Sequence, residues 1–222
     1  MIAFNDIDNA KYIVIRTDAN SFANANALYS YILSKHKKVS LVVTEVIDTK
    51  FSFLPWYAKQ REKLPASCDL VIESQADSIA LFEAFKSNGV AINQKMATSL
   101  FAGLLEFTEG FLGVTCNGTA FAVASELIEC KAQYLTCKEF LQKRESLALF
   151  RLKSLMYKNM VQSSNGQVVH MYITDEDLKS TGARLKDVEK IQKELLKMVH
   201  VKEVRLYKSD DNNKILKSIK EI

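Results

Sequence analysis

The feature that most constrains the fold of this chain is a strand–helix–strand pattern near its start. The β-branched run at residues 12–16 (YIVIR) is typical of a buried strand, and residues 39–43 (VSLVV) have the same character. Between them, a helix is predicted from Phe22 to about His36, because apolar side chains recur there at helical spacing. Two strands joined in this way within about 30 residues form a βαβ unit, whose strands are parallel. We therefore predict an α/β fold built on a parallel sheet.

The same alternation continues through the first two thirds of the chain. Leu70–Glu73 (LVIE) has the composition of a third strand, and Ser78–Ser87 follows it as a helix. Two further apolar helices are predicted at residues 96–107 and 119–129. These elements extend the parallel-sheet domain to about residue 140.

A polar segment at residues 162–167 (QSSNGQ) is the best candidate for a domain boundary, because it interrupts the apolar patterning. Strands and a helix resume after it and end in a strand at residues 215–219, which indicates a small α/β unit. We therefore expect three parts: a parallel-sheet domain at residues 1–140, a connecting helix and linker at 141–165, and a small α/β domain at 166–222.

Composition excludes several kinds of site. The chain has 7 glycines, and no two are adjacent, so it has no glycine-rich phosphate loop. Its 3 histidines are isolated from one another, which excludes a histidine-rich metal cluster. The net charge of +4 is small and dispersed, and does not predict binding to double-stranded nucleic acid.

The cysteine and hydropathy patterns bear on the compartment. The four cysteines form no Cys-x-x-Cys pair and fit no zinc spacing, so we expect free thiols in a reducing environment. No apolar run approaches the ~20 residues that a membrane span needs. We therefore expect a cytoplasmic protein without a membrane span.

Three stretches of the sequence together resemble a known family. Residues 14–20 (VIRTDAN) lead into a helix of small residues, residues 97–105 (ATSLFAGLL) continue through Thr108 to residues 124–128 (ASELI), and residues 168–220 alternate strands and helices. This combination is similar to the DHH family of phosphoesterases, in the branch of nanoRNases and phosphoadenosine-phosphate phosphatases. In that family the first stretch reads His-x-x-Pro-Asp-x-Asp, and the last is the DHH-associated domain.

The resemblance implies a centre of two divalent cations, usually manganese, but several positions for its ligands are changed here. Val14 stands where the family has histidine, and the two aspartates of that motif fall on Asp18 and Asn20. In the second motif, the aspartate position carries Gln75, and Asp77 lies two residues further on. If any residues of this chain hold a metal ion, we expect them to be Asp18 and Asp77.

The remaining motifs of the family are absent. No His-His pair occurs, so the Asp-His-His motif is missing, and Phe107 replaces the aspartate before Thr108, between Glu106 and Glu109. The family's Gly-Gly-Gly-His substrate loop is not found before the chain ends at Ile222. Two divalent cations need several anionic oxygen ligands. We therefore expect no metal, no cofactor and no catalytic residue, and predict a catalytically inactive interaction or regulatory module.

Two other functions stay open at this point. One is a reduced phosphoesterase that uses a single manganese ion at Asp18, Asp77 and Glu106 and acts on short oligonucleotides or small nucleotides. The other is nucleotide binding without hydrolysis, with Lys217 and Lys220 contacting phosphate.

An aromatic segment at residues 51–57 is the best candidate for contact with an unknown protein partner. Phe53, Trp56 and Tyr57 lie around Pro55, outside the predicted strands. Aromatic side chains often anchor a long connection to the core, and packing is one interpretation of this segment. If they are exposed, they supply large contact area at low entropic cost, so the other interpretation is a protein-binding patch.

Overall fold

The computed structural model describes residues 4–143, 145–209 and 214–220. The chain divides into two compact units, Met1–Arg144 and Glu145–Ile222. Each unit contains its own sheet and its own hydrophobic core. The mixed α/β class and the parallel sheet predicted from the sequence are confirmed.

The first unit is built on a four-stranded parallel sheet. Its strands are β1 (Tyr12–Thr17), β2 (Lys38–Val43), β3 (Gln60–Arg61) and β4 (Leu70–Glu73). They lie in the order β3-β2-β1-β4, with Ile13 of β1 in register with Val39 on one side and Leu70 on the other. The central strands are buried on both faces, which explains their continuous apolar sequences.

Within the described residues of this unit, six α-helices accompany the sheet. They are α1 (Phe4–Asn9), α2 (Phe22–Ser34), α3 (Ser78–Ser87), α4 (Gln94–Phe107), α5 (Gly118–Glu129) and α6 (Tyr134–Lys138). A π-helical turn at Glu139–Lys143 follows α6, and 3-10 turns occupy Thr49–Phe51 and Tyr57–Lys59. Helix α2 is buried along almost its whole length, because both the sheet and α4 pack against it.

The second unit contains a mixed four-stranded sheet. Its elements are α7 (Leu147–Lys158), β5 (Val161–Ser163), β6 (Val168–Ile173), α8 (Asp175–Thr181), α9 (Leu185–Leu195), β7 (Glu203–Lys208) and β8 (Lys214–Lys220). The strands lie in the order β5-β6-β7-β8, with β6 and β7 parallel and the outer pairs antiparallel. Alternate residues of β6 and β7 pack with α7 and α9 in the core.

The polar segment that suggested a domain boundary forms part of a hairpin. Strand β5 pairs with β6, and Ser164, Asn165 and Gly166 form the turn between them, all with positive φ angles. Helix α7, which lies within the expected linker at residues 141–165, contributes Leu149 and Leu152 to the core of the second unit.

All four cysteines are free thiols. Cys137 is fully buried, and burial raises the pKa of its thiol to about 12. Within the described ranges, every helix is too short or too polar to span a lipid bilayer.

Candidate functional site

The carboxyl ends of β1 and β4 meet at one edge of the first sheet, because the two strands are parallel neighbours. Asp18 directly follows β1, and the segment from Ser74 to Asp77 follows β4 and leads into α3. Ligands of open α/β sheets bind in crevices at this edge. Both carboxylates singled out in the sequence, Asp18 and Asp77, therefore lie at this edge of the sheet.

Asp18 organises the turn that leads into α2. Its Oδ1 accepts hydrogen bonds from the backbone N–H of Ser21, at 2.9 Å, and from the Ser21 hydroxyl, at 2.7 Å. Partial burial raises the pKa of the Asp18 carboxyl, but the hydrogen bonds from Ser21 outweigh it, and the net shift is downward. The carboxylate is ionised at neutral pH and fixes the turn from Asp18 to Ser21 that precedes α2.

Asp77 caps the next helix. Its Oδ1 accepts hydrogen bonds from the backbone N–H groups of Ile79, at 3.0 Å, and Ala80, at 2.9 Å. These are two of the N–H groups that have no partner within α3 itself. Asp77 thus has a structural role of its own.

The side chains packed behind this edge are neutral. Asn24 and Ser78 are both 1% exposed, and the Ser78 hydroxyl donates to Asn24 Oδ1 at 2.7 Å. Asn24 Nδ2 in turn donates to the backbone carbonyl of Gln75, also at 2.7 Å. Gly103 of α4 lies against this pair, where a side chain would have no room. Neutral hydrogen bonds thus join α2 to α3 and to the segment after β4, and α4 packs against them through Gly103.

The other carboxylates suggested by the resemblance do not join Asp18 and Asp77 in a ligand set. Glu106 forms an ion pair with Lys50, so a cation of the chain itself already neutralises it. Among the residues that the structure describes, no group of three His, Cys, Asp or Glu side chains is placed to hold a metal ion. The described residues therefore do not fit the two-manganese centre that the resemblance implies.

The aromatic segment is anchored in the first core. Trp56 Nε1 donates to the Ser30 hydroxyl at 2.7 Å, and its ring lies 5.0 Å from that of Tyr29. The Tyr57 ring makes an edge contact with Phe22 at 6.0 Å. The ring of Phe53 lies 5.1 Å from a neighbouring phenylalanine, and all three aromatic side chains are half-buried. Packing therefore buries part of the surface of each aromatic side chain.

The two lysines suggested as phosphate ligands lie on the edge strand β8. Lys217 Nζ donates to Glu189 Oε2 at 2.5 Å, and this hydrogen bond lowers the pKa of Glu189. Lys220 lies opposite Glu203 in the β7–β8 register. Both lysines thus face carboxylates of the same unit, which reduces the positive charge available to a phosphate.

The Glu203 carboxylate accepts hydrogen bonds from two side chains. Arg205 binds its two carboxylate oxygens at 2.8 and 3.0 Å, and the Ser218 hydroxyl donates at 2.7 Å. These hydrogen bonds, that from Arg205 first, lower the pKa of Glu203 to about 2. A lowered pKa in the folded state means that the stabilisation is complete above the unfolded-state pKa and is lost as the pH falls toward 2.

We expect Glu203→Gln to lower the free energy of unfolding at neutral pH by about 1 kcal/mol. The difference between variant and wild type should shrink as the pH falls from about 5 to about 2. Urea unfolding across this range measures it, with the exposed Glu176→Gln as control. A difference that does not change with pH would contradict this assignment.

Three strongly exposed apolar side chains of the first unit lie elsewhere, and the sequence did not indicate them. Leu112 and Val114 are 85% and 88% exposed, and Phe121 is 58% exposed. The loop that carries the first two is well ordered, because Thr108 binds the N–H groups of Phe111, Leu112 and Gly113. Only the glycines around Leu112 gave a signal of a tight turn there.

Comparison with solved structures identifies the fold. An exopolyphosphatase-related protein from Bacteroides fragilis is similar to this chain with a TM-score of 0.73 and 16% sequence identity, over 97% of this chain and 82% of that one. A putative family II inorganic pyrophosphatase from Methanococcus jannaschii aligns with a TM-score of 0.37 and 14% identity, over 89% and 83% of the two chains. No family model and no curated protein matches the sequence. The chain therefore shares the α/β fold of the exopolyphosphatase-related protein, which is consistent with the α/β fold class predicted from the sequence.

Proposed function

We propose that this protein keeps a DHH-like phosphoesterase fold without metal-dependent hydrolysis, and that it acts as a cytoplasmic protein-interaction or regulatory module. The observation that supports this most is the use of the two carboxylates at the carboxyl edge of the first sheet. Asp18 and Asp77 accept hydrogen bonds from the backbone N–H groups of Ser21, Ile79 and Ala80. Asp77 therefore caps α3, and Asp18 fixes the turn that precedes α2.

The physical argument concerns what a metal ion would require. Two divalent cations need several oxygen ligands, most of them anionic, to leave water. Turning Asp18 and Asp77 toward cations would leave backbone N–H groups without partners, at a cost of about 1–3 kcal/mol for each buried group. The neighbouring Asn24 and Ser78 bring no negative charge, and they already bind each other.

An activity assay tests the first half of the proposal. With excess Mn²⁺, we expect no release of phosphate from phosphoadenosine phosphate or polyphosphate and no release of mononucleotide from short oligonucleotides. The rates should equal those of Asp18→Asn and of the control Asp6→Asn, whose side chain is exposed on α1. Manganese-dependent release that Asp18→Asn abolishes and Asp6→Asn retains would contradict the proposal and favour a reduced phosphoesterase.

The second half concerns the aromatic segment Phe53, Trp56 and Tyr57. Part of each side chain is accessible to solvent, and the ammonium of Lys95 lies 4.8 Å from the centre of the Trp56 ring. A partly exposed aromatic side chain fixed by packing can contact a protein partner at low entropic cost.

Affinity capture from extracts of the native cell tests this role. We expect a protein retained by the wild type and by Leu185→Ala, an exposed position of the second unit, to be lost with Phe53→Ala and Trp56→Ala. Thermal melting of each variant separates lost contact from lost folding. If the wild type and all three variants retain the same proteins, the aromatic segment is not a binding site for a protein partner.

A further inference from the structure

A small cavity beside the edge strand β3 is lined by polar and basic side chains that have no part in the proposed function. Its volume is about 180 Å³, and its polar lining consists of Tyr29, Ser40, Lys59, Gln60 and Arg61. Ser40 is the third residue of β2, so the cavity lies toward the amino end of that strand. Asp18 lies at the opposite end of the sheet, because it follows the carboxyl end of β1.

Two cationic side chains that line this cavity form no ion pair with any carboxylate that the structure describes. Lys59 and Arg61 stand on either side of Gln60, and both side chains are exposed. In the part of the chain that the structure describes, neither side chain forms an ion pair or a hydrogen bond. Among the described residues, no acidic side chain lines the cavity. The lining therefore presents two uncompensated positive charges to whatever enters.

Two hydroxyl groups add neutral donors. Tyr29 is 8% exposed, its ring is fixed against Trp56, and its hydroxyl forms no hydrogen bond with the described residues. Burial raises the pKa of the Tyr29 phenol, so its proton stays in place at neutral pH. The Ser40 hydroxyl lies 2.9 Å from the Tyr12 hydroxyl, and when Tyr12 donates to it, the Ser40 proton is available to a ligand.

We infer that this cavity binds a phosphate dianion through Lys59, Arg61 and Tyr29. Two cations match the charge of a phosphate group near neutral pH, and the planar guanidinium of Arg61 suits bidentate contact with its oxygens. A volume of about 180 Å³ admits a phosphate group, whereas pockets for drug-sized ligands measure ~300–1,000 Å³. The ligand is therefore inorganic phosphate or the terminal phosphate of a larger molecule whose remainder stays in solvent.

This inference does not rest on the proposed function. The cavity uses none of the carboxylates at the carboxyl edge of the sheet, and phosphate binding requires no metal ion. A phosphate site here would allow the protein to bind phosphate as a ligand without hydrolysing a substrate.

Calorimetric titration of the full chain with inorganic phosphate at low ionic strength tests the site. We expect saturable binding to one site, weakened about tenfold by Arg61→Gln and by Lys59→Gln because each change removes a charge-assisted contact. Tyr29→Phe keeps the ring and should weaken binding several-fold. Arg151→Gln, on an exposed face of α7, and Asp18→Asn should bind as the wild type does.

Competing anions sharpen the result. Sulfate, a dianion of the same shape, should displace phosphate, and chloride at equal ionic strength should not. Glycerol 3-phosphate binding as tightly as phosphate would support a terminal phosphate as the ligand, and weaker binding would support inorganic phosphate. The inference is overturned if the wild type shows no saturable binding, or if Arg61→Gln and Arg151→Gln bind phosphate equally.

Discussion

Replacing Gly103 with valine should lower the free energy of unfolding by about 3 kcal/mol, the upper range for overpacking a core. Gly103 lies in the middle of α4, and a Cβ there would fall inside van der Waals contact with Ser78 Oγ and Asn24 Oδ1. Both atoms belong to short, buried side chains that bind each other, so neither can move aside without breaking their hydrogen bond. Urea unfolding of wild type and variant measures the loss.

A matched glycine supplies the control for this prediction. Gly118 opens α5, and a Cβ there would meet no neighbouring atom, so Gly118→Ala should be neutral or slightly stabilising. Gly103→Ala should lose less than Gly103→Val, and adding Ser78→Ala should recover part of that loss by removing the nearest atom. Equal stability of Gly103→Val and wild type would show that α2, α3 and α4 do not pack as described.

Asn24→Asp should destabilise the protein at neutral pH by about 3–5 kcal/mol, as expected for a buried charge without a partner. Asn24 is 1% exposed, and its amide group donates to the Gln75 carbonyl. A carboxylate of the same shape cannot donate and would face that carbonyl oxygen. The effect should therefore come from charge and lost hydrogen bonding, with little change in volume.

The pH dependence of this variant has a defined sign. Burial raises the pKa of a carboxylic acid, so the folded variant prefers the protonated form. Its stability relative to wild type should then fall as the pH rises from about 5 to about 8. The exposed Asn165→Asp should change stability by less than about 0.5 kcal/mol at either pH. Added Mn²⁺ should not restore Asn24→Asp, and restoration would reveal a cation site that this account excludes.

The parts of the fold that were predicted correctly are those in which local pattern and tertiary packing agree. The β-branched strands β1 and β2 and helix α2 between them form the expected parallel unit. Strand β3 could not be predicted, because Gln60 and Arg61 have no strand pattern of their own and pair only because β2 lies beside them. The same holds for Val161–Ser163, which is a strand only through its hairpin partner β6.

The contacts of the candidate site residues could not be predicted from the sequence. The resemblance singled out Asp18 and Asp77, but the sequence does not say whether a carboxylate faces a cation or a helix start. Periodicity also placed the apolar face of α2 toward the core without indicating that Asn24, on another face, is equally buried. It is buried because α4 packs against α2, with Gly103 next to Asn24. That packing is a tertiary contact, and no local pattern in the sequence encodes it.

The most direct test of the central claim is manganese binding to the full chain, followed by electron paramagnetic resonance. Free aqueous Mn²⁺ gives a sharp signal that weakens when the ion binds a protein. We expect the signal of added Mn²⁺ to be the same in buffer, with the wild type and with the double variant Asp18→Asn, Asp77→Asn. Binding of one or two equivalents by the wild type, lost in the double variant, would contradict the account and place a metal centre at these carboxylates.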